Sequence, residues 1–348
     1  MSSTKRSSKV KERVKLFSPV TLRDITKVTG FTVNTVSRAL KGKEDVSPKT
    51  RSYIQREARR LGYIPNALAA SLRYGRTRSI SAIIPDISDP LFAILVRDIE
   101  CRLKEKRFDL FIQNTDENEE LERQAILASI GKKLDGVLIC PCQKNTDSLE
   151  LLESNKVPFV LFGRRFSSKK FSYVVADDVQ GGFLATHHLI EKGHRDIVML
   201  NAPEYISSAH ERLLGYKRAL KEAGIPFRTQ MVREVAIRRG ECRRALQQLL
   251  DSSLGFSAIF CFSDLMAWET ISFLQGKGIK IPGDVAIVGF DDIQSRLFYP
   301  YPLTSIGYGK RKMALKAVDS LLRMIENPSR QDDTKLIADV QLSVRHST

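Results

Sequence analysis

The sequence predicts an α/β protein in which a three-helix headpiece of the helix-turn-helix type precedes a two-lobed, doubly wound domain. From residue 79 onward, short apolar runs such as "SISAIIP", "GVLIC" and "VAIVGF" alternate with amphipathic stretches. This rhythm is typical of repeated β–α units, which form parallel sheets covered by helices on both faces. About 270 residues follow this pattern, which is too many for one such sheet, so we expect two lobes.

Basic charge is concentrated near the N-terminus. Residues 1–78 hold 19 Lys and Arg against 5 Asp and Glu, whereas the remaining residues hold 37 against 35. The whole chain carries a formal net charge of +16. A basic segment on a near-neutral body predicts a polyanionic partner, and nucleic acid is favoured over a solubilising tail or a membrane-surface patch.

The composition argues against several other classes of protein. No apolar run reaches the 18 residues that a membrane span requires, and residues 2–15 are polar, unlike a secretory signal. We therefore expect a cytoplasmic protein without a membrane partner. The five cysteines are odd in number and scattered, as in a reduced protein, and Cys140-Pro-Cys142 has the wrong spacing for a redox pair or a zinc ribbon. We expect no metal and no cofactor.

The headpiece begins with a short capped helix. Thr21 is the predicted N-cap, and the acidic Asp24 follows in the favoured first turn. Leu22, Ile25 and Val28 form an apolar stripe at helical spacing, and Gly30 ends the helix. A third helix is predicted after "VSP", with Ser47 as N-cap, Pro48 in the first turn and Gly62 just beyond the end.

Between these helices lies the segment that predicts base recognition. The helix runs from Thr32 to Leu40 and turns Val36 and Leu40 toward the core. Its outward residues are Val33, Asn34, Ser37 and Arg38. Asn can bond adenine, Arg can form a fork with guanine, and Val can contact a thymine methyl group. Three hydroxyl side chains suit phosphate contacts: Thr21, Thr32 and Thr35. An ordinary three-helix bundle with solvated side chains is the alternative.

The segments on either side of the three predicted headpiece helices are not expected to be stable structures by themselves. Residues 1–19 are rich in Ser, Lys and Arg and predict a disordered basic arm. Residues 65–73, "PNALAASLR", are too short to form a helix that is stable alone in water. We therefore expect this short helix to need a partner.

Long ordered motifs resemble the LacI/GalR family of bacterial regulators from residue 20 to the last residue. The headpiece run begins "VTLRDITKVTGFTVNTVSRALKG" and continues to "ALAASLRYGRTRSI". Further motifs follow in order: "IIPDISDPLF", "KKLDGVLICP", "VVADDVQGG", "LIEKGHRDI", "SSAHERLLGYKRAL", "IPGDVAIVGFDDI" and "VRHST". The resemblance implies a helix-turn-helix headpiece, a hinge helix and a periplasmic-binding-protein-like effector domain.

For DNA, the resemblance implies a homodimer on a pseudo-palindromic double-stranded operator. Val33, Asn34 and Arg38 match the family's base-reading positions, in agreement with the outward face described above. Residues 65–78 match the hinge helix and linker, which pair across the dimer. The matching minor-groove residues are Asn66, Ala69 and Leu72, and an apolar wedge such as Leu72 can kink DNA. A buried linker leucine is the alternative.

For the body, residues 79–348, the resemblance implies one lobe from 79–177 plus 309–336 and another from 178–308 plus 337–348. A small-molecule effector would lie between them. Matching positions and their plausible neighbours give the candidate effector contacts: Asp89, Phe92, Ser208, His210, Arg212, Asp264 and Asp291. Structural roles are the alternatives, namely a core aromatic for Phe92, a salt bridge for Arg212, helix capping for Asp264 and the capping of a turn for Asp291.

Several positions depart from the family pattern and leave the ligand class open. Gly163 stands where many sugar-binding members carry Asp, and Trp268 and Glu269 stand where small residues are frequent. "GYG" at 307–309 replaces the usual Gln-Pro. A mixture of aromatic and carboxylate side chains suits a sugar and would also suit a nucleoside.

Rival functions are less well supported. The sequence lacks a GxSxG elbow, a Walker A loop and HExxH, so an enzyme is not expected. A periplasmic solute-binding protein is not expected, because the sequence shows no signal peptide and because such a function would not explain the basic headpiece. A nonspecific DNA binder could use the same charge. We expect a sequence-specific repressor under allosteric control.

Overall fold

The computed structural model describes residues 20–64, 75–167, 171–238, 240–298, 301–328 and 333–348. The chain divides into two compact units, Met1–Gly75 and Arg76–Thr348. The predicted basic arm lies outside the described residues, as do Asn66, Ala69 and Leu72 of the predicted hinge helix.

The headpiece contains three helices; Thr21 and Ser47 are the predicted N-caps of the first and third, and Gly30 is the C-cap of the first, whereas Lys41 and Leu61 are the C-caps of the other two. The three helices are α1 (Leu22–Thr29), α2 (Val33–Leu40) and α3 (Pro48–Arg60). The Thr21 backbone N–H and hydroxyl both donate to Asp24, at 3.0 and 2.7 Å. Ser47 accepts from the backbone N–H of Thr50, and Gly30 ends α1 with a φ of 74°. Such left-handed geometry favours glycine, which explains why α1 stops there.

A small apolar core holds the three helices together. Ile25, Val36 and Ile54 are fully buried, one from each helix. Leu40 packs against this core from the end of α2, as predicted. Val28, the third residue of the apolar stripe, is 41% exposed, whereas Ile25 of the same stripe is fully buried. A core of this size orients α2 but leaves its outer face free.

The body contains two six-stranded sheets, which confirms the predicted two-lobed α/β fold. The first sheet contains β1 (Ser79–Ile84), β2 (Asp109–Asn114), β3 (Gly136–Ile139), β4 (Phe159–Phe162), β5 (Tyr173–Ala176) and β11 (Lys335–Ala338). The second contains β6 (Ile197–Asn201), β7 (Val232–Glu234), β8 (Ala258–Cys261), β9 (Ala286–Phe290), β10 (Thr304–Tyr308) and β12 (Val340–Ser343). Their orders are β11-β5-β4-β3-β1-β2 and β12-β10-β9-β8-β6-β7. Every pairing is parallel except that of β10 with β12.

Eight α-helices among the described residues of the body complete the β–α units. They are α4 (Pro90–Glu105), α5 (Glu119–Gly131), α6 (Asp147–Ser154), α7 (Asp178–Glu191), α8 (Ser207–Glu222), α9 (Glu241–Asp251), α10 (Asp264–Gly276) and α11 (Lys310–Glu326). Two short 3-10 turns lie at Thr229–Met231 and Ile293–Ser295. None of the helices within the described ranges is long and apolar enough to cross a membrane.

The chain passes between the lobes three times. The first two passages lie between β5 and α7 and between β10 and α11. The third lies at Asp339, because β11 continues to Ala338 before β12 begins. The predicted boundary between 336 and 337 therefore falls inside β11. Helix α11 packs under the first sheet, where Val318 and Leu321 are fully buried.

Helices α7 and α8 approach each other unusually closely in the second lobe. Gly182 lies directly beside the backbone of Arg212, and Gly215 lies beside the backbone of Val179 and Phe183. A Cβ atom at either glycine would clash with backbone atoms that cannot rotate away. The two glycines therefore set how deeply Arg212 can lie in the lobe.

Substituting Gly215→Ala should lower the free energy of unfolding by about 1–3 kcal/mol, the usual cost of overpacking. Urea denaturation of the full chain measures this. Gly131→Ala is the matched control, because Gly131 ends α5 with open space around its Cβ position. That variant should be neutral or slightly stabilising. Equal effects in the two variants would contradict the close-packing argument.

Candidate functional site

The outer face of α2 presents the predicted base-reading side chains to solvent. Val33 is 45% exposed. Asn34 and Arg38 are also exposed, and Ser37 is half-buried. Because Val36 is fully buried on the opposite face, these side chains share one surface near the start of the helix. The helix can therefore offer an apolar group, an amide and a guanidinium group to base edges.

Arg38 has an acidic neighbour that the sequence analysis missed. Its Nε lies 2.5 Å from Oδ2 of Asp45, and both side chains are about half exposed. The hydrogen bond from Arg38 lowers the pKa of Asp45. Ion pairs between solvent-exposed side chains are weak, so this pair can orient Arg38 without binding it strongly.

The hydroxyl groups proposed for phosphate contact also cap helices. Thr32 Oγ1 accepts from the backbone N–H of Thr35 at 3.2 Å and lies 2.9 Å from the Thr35 hydroxyl. The Thr21 hydroxyl donates to Asp24. Thr21 and Thr32 remain exposed, and Thr35 is half-buried. Free N–H groups at the start of α2 lie beside Thr32, which is a favourable place for an anion.

A cavity with a volume of about 830 Å³ lies between the two lobes of the body. Its lining comes from both sheets, at the ends where the parallel strands stop and the next helices begin. Ligands in α/β folds bind at such carboxyl ends of strands. Five of the seven candidate effector contacts line this cavity: Asp89, Phe92, Ser208, Arg212 and Asp291.

Arg212 is the central polar group of the second lobe. Its Nε donates to Oδ1 of Asp178 at 2.8 Å, and its Nη1 donates to the carbonyl oxygen of Phe262. Nη2 lies 3.9 Å from Oδ1 of Asp291. The guanidinium plane also covers the rings of Phe262 and Phe290, with centroid distances of 4.4 and 3.4 Å. Arg212 therefore forms the salt bridge that was the structural alternative, and it also lines the cavity.

The carboxylate of Asp291 is presented by an unusual turn. Asp291 and Asp292 have φ values of 103° and 44°, a left-handed geometry that non-glycine residues rarely adopt. Lys310 donates to the carbonyl oxygens of both residues. The Tyr308 hydroxyl donates to Oδ1 of Asp291 at 3.2 Å. Backbone strain of this kind persists where surrounding contacts hold it and is frequent at functional sites.

Asp264 supports this turn from below and does not line the cavity. It is buried, with Oδ2 accepting from the backbone N–H of Ile293 at 2.7 Å and Oδ1 accepting from the Ser305 hydroxyl at 2.5 Å. Ser263, and not Asp264, is the N-cap of α10. The geometry therefore gives Asp264 a positioning role in place of the predicted effector contact and of the capping alternative.

His210 also lies away from the cavity lining. Its side chain is 49% exposed, and Nδ1 lies 3.1 Å from Oε1 of Glu204. Two residues further along the same helix, Arg212 points inward because positions i and i+2 lie on nearly opposite faces of α8. The 3.6-residue period of α8 puts Arg212 on the face of Ser208 and His210 on the other face, so this signal was present in the sequence.

The first lobe contributes an acidic helix start and an internal ion pair. Asp89 caps α4 by accepting from the backbone N–H of Leu91 at 2.9 Å. Arg164 and Glu117 form a bidentate pair at 2.8 and 2.5 Å. Nη1 of Arg164 also donates to the carbonyl oxygen of Pro141. Gly163, where a carboxylate is frequent, lines the cavity without a side chain.

Burial perturbs the carboxyl groups around the cavity. Desolvation raises the pKa of Asp89 to about 6 and that of Asp178 to about 6. Burial likewise raises the pKa of Asp291 to about 7, although Arg212 and Lys310 act in the opposite direction. Asp89 and Asp291 both line the cavity, and strongly perturbed carboxyl groups in one cleft are typical of binding sites.

Contacts beside the cavity join the lobes directly. Arg165 of the first lobe lies 2.8 Å from Glu211 of the second, and the Ser207 N–H donates to Gln143 at 2.9 Å. Elsewhere, Arg296 forms a bidentate pair with Asp98 at 3.0 and 3.1 Å. Opening the cleft would break these contacts.

The pKa of Asp291 leads to a prediction about stability. Its ordinary value of 3.8 is raised to about 7 in the folded protein. Between these values the native state holds a proton that the unfolded state has released, so stability falls as the pH rises through this window. Asp291→Asn removes the titrating carboxyl group. The Tm of this variant relative to that of the wild type should therefore increase from pH 4 to pH 7 and stay constant above pH 7.

Thermal unfolding across this pH range measures the effect. Asp251→Asn, at an exposed position at the end of α9, is the control and should give a small, constant difference. A constant Tm difference for Asp291→Asn would show that this carboxyl group titrates normally.

Two protein-family models match this chain, one in the headpiece and one in the body. The family described as "Bacterial regulatory proteins, lacI family" matches residues 21–66. The family described as "Periplasmic binding proteins and sugar binding domain of LacI family" matches residues 77–346. The HTH-type transcriptional repressor PurR of Actinobacillus pleuropneumoniae serotype 3 (strain JL03) is 33% identical over 306 residues, covering 88% of this chain and 91% of PurR.

Solved structures show the same fold. The complex of the transcriptional regulator CelR with cellobiose has a TM-score of 0.72 and 28% identity, covering 94% of this chain and 100% of CelR. The lac repressor dimer bound to operator and the anti-inducer ONPF has a TM-score of 0.82 at 23% identity, covering 95% and 99%. The latter supports the fold alone. The chain belongs to the LacI family, and it is a DNA-binding transcriptional repressor with a ligand-binding domain, not an enzyme.

Proposed function

We propose that this repressor binds a pseudo-palindromic operator as a homodimer and that a small molecule in the interlobe cavity controls the binding. The observation that carries the proposal is the cavity itself. Aromatic and polar side chains of both lobes converge there, in a chain whose headpiece exposes a reading helix. A ligand that touches both lobes favours one angle between them, because only differential contacts can shift such an equilibrium.

The reading surface of α2 supports sequence-specific binding. Phosphate contacts alone would need only the basic charge of the headpiece, yet Val33 and Asn34 are exposed side chains without charge. An apolar group such as Val33 adds nothing to a phosphate contact but suits a thymine methyl group, and the amide of Asn34, although it can also donate to phosphate, suits adenine. We assign base contacts to Val33, Asn34, Ser37 and Arg38, and phosphate contacts to Thr21, Thr32 and Thr35.

Exposed apolar side chains support the homodimer. Phe111 and Ile112 are 44% and 47% exposed on β2, which is an edge strand of the first sheet. Phe298, in the loop after β9, is 95% exposed. Natural edge strands are usually short, charged or covered, so an apolar edge favours a covering partner. A second copy of the chain would supply the second reading helix that a pseudo-palindrome requires.

The hinge helix is the proposed link between effector binding in the body and DNA binding by the headpiece. The resemblance assigns Asn66, Ala69 and Leu72 to the minor groove, and a nine-residue helix is too short to persist without a partner. Effector binding would then order or disorder residues 65–73. The coupling free energy in such systems is about 1–3 kcal/mol and acts equally in both directions.

The effector is a sugar or a nucleoside-like metabolite in this proposal. Phe92 and Phe262 offer flat apolar faces, while Asp89, Ser208 and Asp291 offer hydrogen-bonding groups. The CelR complex with cellobiose is consistent with a polyhydroxyl ligand in this fold. Arg212 contributes through Nη2, because its other donors are engaged with Asp178 and Phe262.

Arg38→Ala should weaken binding to the cognate operator by about 1–3 kcal/mol and relax the preference at one base pair. Fluorescence anisotropy on the operator and on single-base variants measures both effects. Asp45→Ala is the matched control, because it removes the partner of Arg38 while keeping the guanidinium group. This variant should retain the base preference. Equal loss on every DNA sequence after Arg38→Ala would instead indicate nonspecific binding.

Ile112→Asp should shift the chain toward monomers and weaken operator binding in the same proportion. Placing a charge in an apolar interface leaves it desolvated without a partner, which is costly. Analytical ultracentrifugation measures the dimer. Leu127→Asp on α5, at a position that is 41% exposed, controls for the added charge. A dimer of unchanged strength would exclude β2 from the interface.

A further inference from the structure

A second cavity lies on the outer side of the body, where helices α4 and α11 meet the turn that follows β9. Its volume is about 330 Å³. The charged residues of its lining are four arginines and two carboxylates: Arg97, Arg102, Arg296, Arg311, Asp98 and Glu105. None of these six residues lines the interlobe cavity. The lining of the second cavity therefore has a surplus of two positive charges.

Two of the four arginines already have carboxylate partners. Arg296 of the second lobe donates through Nη1 and Nη2 to the two oxygens of Asp98, which is buried. Arg102 donates through Nε to Asp319 at 2.9 Å and through Nη1 to Glu105 at 2.7 Å. These pairs use both carboxylates of the lining. The positive charge that remains belongs to the other two arginines.

Arg97 and Arg311 have no carboxylate partner among the residues that the structure describes. Both side chains are exposed. A single exposed arginine is usually solvated, but these two share one cavity with two further guanidinium groups, and like charges repel each other unless an anion lies between them. Arg97 lies on α4 and Arg311 on α11, so the fold, and not local composition, brings them together.

We propose that this cavity is a binding site for a phosphate-bearing small molecule, whose phosphate lies between the guanidinium groups of Arg97 and Arg311. The planar fork of donors in arginine matches the geometry of phosphate oxygens. A phosphate monoester carries a charge of about −1.5 to −2 near neutral pH, which balances the surplus in the lining. A single carboxylate would leave one positive charge unmatched. Leu315 offers apolar surface in the same cavity to the rest of the molecule.

This site goes beyond the proposed control through the interlobe cavity and does not depend on it. Helices α4 and α11 belong to the first lobe, whereas Arg296 comes from the second. The pair between Arg296 and Asp98 joins the lobes at the edge of the site. A bound phosphate would therefore lie beside a contact that opening the cleft would break.

The thiol of Cys101 provides a direct probe of the site, because it lines the same cavity. All five cysteines lie in the described part of the chain, and Cys101 alone is exposed. Burial raises the pKa of Cys140 to about 12 and that of Cys242 to about 11, which keeps these thiols protonated and slow to react. A neutral reagent such as iodoacetamide should therefore label Cys101 first, and a ligand in the cavity should slow this reaction.

The test alkylates the full chain with iodoacetamide in sodium chloride, sodium phosphate or sodium glycerol phosphate at equal ionic strength. Peptide mass spectrometry measures the rate of labelling at Cys101. Both phosphate salts should slow the labelling relative to sodium chloride. Protection at a lower concentration of glycerol phosphate would support a phosphate monoester as the ligand, and protection at a lower concentration of inorganic phosphate would support the free ion. Equal rates in all three salts would overturn the proposal.

Variants then test the two arginines. Arg97→Gln and Arg311→Gln should each raise the phosphate concentration for half-maximal protection about tenfold, as expected for hydrogen bonds to charged groups. Lys316→Gln is the matched control, because Lys316 is an exposed cation on α11 that does not line the cavity. Each variant is compared with its own labelling rate in sodium chloride, since Arg97 lies one helical turn from the thiol.

Two outcomes of this comparison would count against the site. An equal loss of protection in all three variants would show only a general effect of net charge. Unaltered protection in both arginine variants would place the anion elsewhere on the surface. The side chains of Arg97 and Arg311 are exposed, so each variant should fold, and its melting curve verifies this.

Discussion

The second lobe is organised around the buried guanidinium group of Arg212. A charge removed from water is costly unless it is paired and hydrogen-bonded, and this one meets Asp178, a backbone carbonyl and two aromatic rings. Asp178 begins α7, directly after the first passage between the lobes. Arg212 lies on α8, and Gly182 allows the two helices to approach closely enough for the pair to form. Removing Arg212 would leave Asp178 buried and unpaired, so loss of the ligand response in such a variant would be mixed with loss of stability.

A second set of contacts holds the strained turn that presents Asp291. Lys310 is the first residue of α11, immediately after the second passage between the lobes, and it binds the carbonyl oxygens of Asp291 and Asp292. Arg345 pairs with the side chain of Asp292 at 2.6 Å, near the end of the chain. The cavity carboxylate is thus tied to two of the segments that connect or close the lobes. A change at Asp291 can reach those segments through hydrogen bonds, without a long path through the core.

Local signals in the sequence predicted the headpiece well, because its caps and turns involve residues only a few positions apart. The capping residues Thr21, Ser47 and Gly30 are examples. The cleft was harder, since Asp178, Arg212, Asp291 and Lys310 are distant in sequence and meet only in the folded lobe. The resemblance placed Asp264 and His210 near the ligand, yet one supports a turn and the other pairs with Glu204. The role of Asp264 has no signature in spacing, whereas His210 lies two residues from both Ser208 and Arg212, so helical periodicity already placed it on the other face of α8. The third passage was predicted too early because the short strand β11 has no flanking turn residue before Asp339.

The size of the expected coupling can be compared with the contacts that join the lobes. Arg165–Glu211 and Arg296–Asp98 are partly exposed ion pairs, and pairs of this kind contribute at most about 1 kcal/mol each. An allosteric coupling of about 1–3 kcal/mol is therefore equivalent to gaining or losing a few such contacts. No large rearrangement of either sheet is required, because the buried pairs around Arg212 and Arg164 lie within single lobes and can stay intact. The angle between the lobes is thus the variable that costs least to change, and a ligand bound as proposed in the cavity between the lobes would act directly on it.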